Sequence, residues 1–261
     1  MCRNTENRVY NNNLFLHFKI LIHTMKLFKT LAVAGLLSTL LSCNSSSVKG
    51  DGNMQTEQRP VTSFNKIDVS GDWEVILTQG ESESVKLEAD KNLLGLIETK
   101  VEGGDLVIGA KRNKSLSSEK GLKVYLTFKN LNKIELSGDV KLSATTKLTF
   151  DKLQLEGSGS AELNLDLNAN QLDADMNGSS KTMLKGRISE VLFTISGEGS
   201  LSALELNINK CTVDISGDGN ASVCVKDELN TTISGSGSVQ YKGSPLVKKN
   251  ISGDGNVSEI K

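Results

Sequence analysis

Residues 191–239 read VLFTISGEGSLSALELNINKCTVDISGDGNASVCVKDELNTTISGSGSV, and what recurs in them decides the fold. Three times an apolar run ends in Ser-Gly-x-Gly: Phe193 and Ile195 precede Gly197, Val213 and Ile215 precede Gly217, and Ile233 precedes Gly235. The residues between them, such as Thr194 and Asp214, are polar. Alternation of period two marks a strand with one buried face. After each corner it resumes, through Leu201 and Ala203 or through Ala221, Val223 and Val225. Each unit is therefore strand, glycine corner, strand.

Outward from this stretch, the corner glycines are read as Gly71, Gly138, Gly157, Gly178, Gly197, Gly217, Gly235 and Gly253, the last seven spaced by 19, 21, 19, 20, 18 and 18 residues. Two positions before them stand Val69, Leu136, Leu155, Met176, Ile195, Ile215, Ile233 and Ile251. A unit this short cannot bury its apolar stripe alone, so successive units must stack into one continuous core. Units that repeat in one direction pair in parallel. The prediction is an all-β chain, a right-handed parallel β-helix (solenoid) with coils of about 20 residues. A β-propeller blade needs about 40 residues, and a leucine-rich repeat needs an Asn ladder and a helix-forming segment that are not seen here.

Before the repeat, Val61 to Ala110 alternates in shorter pieces, through Ile67 and Val69, then Trp73, Val75 and Leu77, then Val85 and Leu87, then Leu106 and Ile108. Gln79-Gly80 and Gly103-Gly104 are the expected turns. The segment KNLLGLIETKV from Lys91 suits a short helix or a strand, and KRNKSLSSEKG, residues 111–121, reads as an exposed charged loop.

The N-terminal region organises differently. Met25 to Cys43, MKLFKTLAVAGLLSTLLSC, places Lys26 and Lys29 before an apolar run from Leu31 to Leu41. The run falls short of the ~20 residues of a bilayer span and has the shape of a secretory signal. Leu40-Leu41-Ser42-Cys43 resembles a bacterial lipobox, which implies cleavage before Cys43, diacylation of that cysteine and attachment to the membrane through the lipid. Residues 1–24 are read as a non-native extension upstream of the true start at Met25, residues 25–43 as the lipoprotein signal, 44–60 as a flexible polar tether, and 61–261 as the solenoid.

Composition narrows the chemistry. Beyond Cys43 the chain carries 25 basic and 30 acidic residues, a net charge near −5, which argues against a nucleic-acid partner. His17 and His23 both fall in the segment to be removed, which excludes Ser-His-Asp catalysis and His-ligated metals in the mature chain. Cys211 shares the inward parity of Val213, whereas Cys224 lies outward between Val223 and Val225, so two free thiols are expected rather than a disulfide.

The glycine corners lack the helix that a phosphate loop requires, so they are read as structural. Asp139, Ser158, Ser179, Glu198, Asp218, Ser236 and Asp254 follow them in a column that serine interrupts, too irregular for serial calcium binding. Asp173 and Asp175 share a face, with Lys181, Lys185 and Arg187 near in sequence, the raw material for cleaving an acidic polysaccharide; as alternating exposed carboxylates they read more simply as solubilising. Trp73 and Tyr241 have the parity of core residues rather than of sugar platforms. No catalytic residue, cofactor or metal site is assigned.

The phrase Phe64-x-x-Ile67-x-Val69-Ser70-Gly71, the Gln79-Gly80 turn, Asn92-Leu93-Leu94 and Gly104-Asp105-Leu106, followed by the SGxG repeats, resemble the bacterial family described as putative auto-transporter adhesin, head GIN domain, over roughly residues 60–258. The resemblance implies a right-handed β-helix exported to the cell envelope, with no catalytic residues to carry over. The expected function is a non-enzymatic, lipid-anchored envelope module, at the outer membrane and facing periplasm or cell surface, that presents its polar side to a glycan or protein. A carbohydrate-active β-helix enzyme and a purely structural periplasmic lipoprotein are the alternatives. The last coil, still patterned at Ile251 and Val257, needs a cap and offers a face for self-association.

Overall fold

A computed structural model describes residues 46–260; the signal segment, Cys43, Cys2 and both histidines lie outside the described residues. The chain is a β-solenoid of about six turns. Its repeating part runs through β9 (Lys133–Ala144), β10 (Leu148–Gly178), β11 (Lys181–Gly197), β12 (Ser200–Gly217), β13 (Asn220–Ser234), β14 (Ser238–Lys242), β15 (Leu246–Ser252) and β16 (Asn256–Glu259). Every pairing among these strands is parallel. The first coil is β3 (Lys66–Gln79), which pairs along its length with β9 although 53 residues, 80–132, separate them in sequence.

Register stacks like on like. Ile195, Ile215, Ile233 and Ile251 form one inward column, and Phe193, Val213 and Thr231 another. Leu163, Leu165, Leu172, Ile208, Val223 and Val225 are buried in the same continuous core. Each fully buried aliphatic side chain stabilises by roughly 1.5–3 kcal/mol. Cys211 is buried and Cys224 half-buried, and both thiols are free. Burial alone pushes the Cys211 thiol up to about 12, so it behaves as a small core hydrophobe.

The glycine column is offset by two residues at one coil. Gly138 pairs with Gly159, while Gly157 pairs with Leu136. Gly159 has φ +97° and Gly138 φ +107°, a region closed to most L-residues, and an added Cβ on Gly159 would stand 2.6 Å from the Gly138 carbonyl oxygen. The corner assigned to Gly157 is therefore corrected to Gly159. Gly157 instead occupies an inward position, where the Met176 sulfur lies 2.8 Å from the place its Cβ would take. The GSGS of residues 157–160 offers two glycines that read equally well as the corner in sequence; only stacking against Gly138 separates them.

Residues 80–132 follow another rule. They supply β4 (Ser84–Asp90), the single turn α1 (Lys91–Leu94), β5 (Ile97–Glu102), β6 (Asp105–Ala110), β7 (Lys114–Ser117) and β8 (Lys123–Phe128). On the edge of β3 opposite β9, β6 pairs with its first half and β8 with its second, both in parallel. Then the sense reverses: β5 runs antiparallel to β6, and β4 to β8. Gly103 and Gly104, both at positive φ, close the β5–β6 hairpin in the two-residue turn that such geometry requires. Leu93, Leu94, Ile97 and Phe128 seal the end of the core, and the Phe128 ring stacks on Phe150 at 6.1 Å between centroids.

The tether expected over residues 44–60 is also corrected. β1 (Ser46–Lys49) pairs in parallel with β7, and β2 (Met54–Arg59) runs antiparallel to β4. Their side chains are mostly exposed, so no apolar period betrays them; backbone pairing and side-chain clamps hold them. Asn92 accepts from the Asp51 amide at 3.1 Å and donates to the Lys49 carbonyl at 2.8 Å, and the buried Asp90 carboxylate accepts from the Gly52 amide at 2.5 Å. The expected loop 111–121 likewise contains β7.

Candidate functional site

Outward-facing residues stack by the same register as the core, which places residues about 19 apart in sequence side by side. On one side of the solenoid this makes a polar groove of about 820 Å3, open to solvent. Asp166 is in register with Lys185, and Lys185 with Glu205. Lys147 reaches Asp166 at 3.3 Å, and Lys185 reaches it at 3.9 Å from the other side. Four residues from successive coils thus alternate in sign along the axis: Lys147, Asp166, Lys185, Glu205. The Asp166 Oδ1 atom is closed off from solvent and holds no hydrogen bond; Lys147 faces it with charge but without hydrogen-bond geometry.

Beside this column runs a second one, in which Arg187 lies between Asn168 and Asn207. Among the described residues Arg187 takes part in no ion pair. The groove as a whole carries three cations and two anions, so Arg187 is its uncompensated charge. Asn207 donates to the Gly186 carbonyl at 3.4 Å, and Asn170 at the groove edge donates to Asp151 at 2.7 Å. Gly186 makes the corner possible: its φ is +118°, and an added Cβ would meet the Leu167 carbonyl oxygen at 2.1 Å. The chain turns there so that Lys185 and Arg187 flank the corner on the exposed side.

Chemically, this surface offers one free guanidinium with its fork of donors, two lysine ammonium groups, and amides that both donate and accept. Such an array suits a polar ligand with carboxylates and hydroxyls. The residues singled out in the sequence are not brought together. Lys185 and Arg187 line this groove, but Asp173 lines a separate hollow with Lys152, Glu190 and Lys210. Asp175 lies on a third surface beside Asp68, Glu135 and Glu156, where it accepts from Asn177 at 3.0 Å. Sequence reading passed over Lys147, Asp166, Asn168 and Asn207. Applying the coil period to the polar positions, as was done for the apolar ones, would have found them.

The acidic surface is held by lysines. Lys133 bridges Glu135 at 2.5 Å and Glu156 at 2.8 Å, and Lys66 bridges Glu135 at 2.7 Å and Asp105 at 3.4 Å. Hydrogen bonds from Lys133 and Lys66 hold the Glu135 carboxyl below its ordinary value, while burial, and then the charge of Glu135, raise that of Asp68. Among the described residues no group of three or more His, Cys, Asp or Glu is arranged to hold a metal ion. The column after the glycine corner, Asp72, Asp139 and Ser160 in register, is solvated.

A crystal structure of a putative adhesin from Bacteroides fragilis shares this fold with a TM-score of 0.76 and 23% identity, over 82% of this chain and 100% of that one. A putative lipid binding protein from Parabacteroides distasonis gives 0.65 at 21% identity over 83% and 100% of the two chains. A putative adhesin from Parabacteroides merdae gives 0.62 at 26% identity over 82% and 99%. No curated protein matches the sequence. The family model for the putative auto-transporter adhesin, head GIN domain, matches residues 63–245, which span the first coil, its covering strands and the repeating coils as far as β14, and the chain belongs to that family.

Proposed function

We propose that the protein is a non-enzymatic, adhesin-like module of the cell envelope, held to a membrane by lipid on Cys43, whose groove across successive coils receives an acidic glycan. The observation that carries the ligand class is the unpaired Arg187 between two asparagines in an open polar groove. Family membership and the adhesins of the same fold support the adhesin-like character. The lipobox-like Leu40-Leu41-Ser42-Cys43 supports the anchor, and among the described residues no helix is long and apolar enough to cross a membrane. Against catalysis stands the engagement of Asp166 by two lysines, which leaves the groove without a free pair of carboxylates for acid and base roles.

The test is binding of the lipidated protein to a panel of neutral and acidic polysaccharides, with reducing sugar assayed in the same samples. Retention on acidic polymers without sugar release is expected, weakened about tenfold by Arg187→Ala, since a charge-assisted hydrogen bond contributes roughly 1.5–3 kcal/mol. Release of reducing sugar would establish the enzyme reading. Unchanged binding by the variant would move the ligand away from this groove.

A further inference from the structure

Ser46 is the third residue after Cys43, and it is already paired: β1 places it against Lys114. Its amide donates to the Asn113 carbonyl at 3.2 Å, and Lys114 Nζ donates to its hydroxyl at 2.9 Å. Three residues of extended chain span at most about 11 Å. A lipid on Cys43 therefore leaves only residues 44 and 45 between the lipidated residue and the β1–β7 ribbon. The short tail between ribbon and lipid is comparable to the Debye length of about 8 Å in physiological salt.

The part of the body brought closest is a tight turn. Lys114 N donates back to the Lys111 carbonyl at 3.0 Å, and Asn113 at its tip has φ +61°. Lys111, Arg112 and Lys114 project from it, exposed, and none takes part in an ion pair among the described residues. Residues 111–121 hold four basic groups and one acidic group, Glu119, which pairs with Lys49 at 2.8 Å. This ribbon is thus positive on a body whose net charge is near −5. Asp72 and Asp139 face Lys114 across a shallow hollow, so Lys111 and Arg112 are the freest of the three.

We propose that the Lys111–Lys114 turn is a second membrane contact, which binds anionic phospholipid headgroups beside the anchor and orients the solenoid on the bilayer. It rests on the lipidation of Cys43 proposed above. Basic side chains held close to an anionic bilayer each contribute about 1 kcal/mol, a fivefold gain in partition. Two or three of them decide which way an already tethered body leans.

The experiment places lipidated protein and the variant Lys111→Ser/Arg112→Ser in vesicles of phosphatidylcholine alone or with phosphatidylglycerol, and reads amide hydrogen exchange at residues 111–114. Slower exchange on the anionic vesicles, seen only without the substitutions, is the expected result. Equal exchange on both surfaces overturns the proposal. The mass of the Cys43 peptide, measured in parallel, tests the anchor separately. Should it carry no lipid, sedimentation of the full chain with Cys43→Ala on the same vesicles decides: excess partition to phosphatidylglycerol that falls about fivefold per removed charge supports the contact, and no excess rejects it.

Discussion

Residues 133–253 and residues 80–132 complete one core against opposite edges of the same first coil, but they are built on different rules. In the first region each coil lies parallel on the last, glycine on glycine and isoleucine on isoleucine. In the second, parallel pairing lasts for two short strands and then gives way to antiparallel pairs, one of them the β5–β6 hairpin. A parallel stack cannot end itself, because each coil presents another unpaired edge. Reversing the strand direction ends the parallel stack, with β4 lying antiparallel on β8 and β2 antiparallel on β4. The repeat supplies length and lateral surface, and the irregular segment supplies a stop.

The largest effect that would break this comparison is at the corner. Gly159→Ala places a Cβ against a backbone oxygen at positive φ, and a cost of about 3 kcal/mol is expected in denaturant unfolding. Gly157→Ala, two residues earlier, meets only the movable end of Met176 and should cost about 1 kcal/mol. Equal losses would mean that the ladder at this coil does not run through Gly159. A middle-sized effect probes the clamped arm: Asn92→Ala removes both hydrogen bonds to residues 49–51 and should cost about 1–2 kcal/mol. Its signature is faster amide exchange across 46–53, with core exchange in the repeating coils unchanged. Loosening of the coils as well would show that arm and solenoid unfold as one unit.

The smallest effect lies at the junction between the two regions. Glu135 has its carboxyl held low by Lys133 and Lys66, so its contribution is present above the ordinary carboxylate range and is lost as pH falls through the lowered value. Glu135→Gln should flatten the acid side of the stability profile, at a cost of less than about 1 kcal/mol near neutrality because the pairs are only half-buried and solvent still screens them. Asp68, raised by burial and by Glu135, runs the other way: its protonation stabilises the fold, and that gain is lost as pH rises through its raised value. A stability profile that is unchanged in Glu135→Gln would show the lysine bridges to be dispensable.

The two regions also differed in how far they could be read. The coils announce themselves because burial on one face and a shared corner leave a period in the apolar residues and glycines, which located the strands from Ile134 to Ile251. The slip at Gly157 arose where GSGS offered two candidate glycines, and pairing with a distant residue chose between them. β1 and β2 left no such trace, since strands exposed on both faces need no hydrophobic alternation; their order comes from Asn92 and Asp90, some 40 residues away. The groove was half legible. Lys185 and Arg187 stood out as basic residues, but their neighbours Asp166 and Asn207 become neighbours only when coils are superposed.

Coil lengths vary, yet the glycine corner stays in register from coil to coil. The slack is taken up elsewhere: register slips between Met183 and Lys185, and again between Ala203 and Asn207, where Leu204 is pushed out to solvent. These slips fall on the wall of the groove that holds Lys185, Glu205 and Asn207. The solenoid thus separates what must be constant from what can drift. One corner keeps time for the whole stack, and residues can be gained or lost at the other without the core noticing, so the face proposed to receive a ligand is also the face on which new specificities can be tried at little cost to folding.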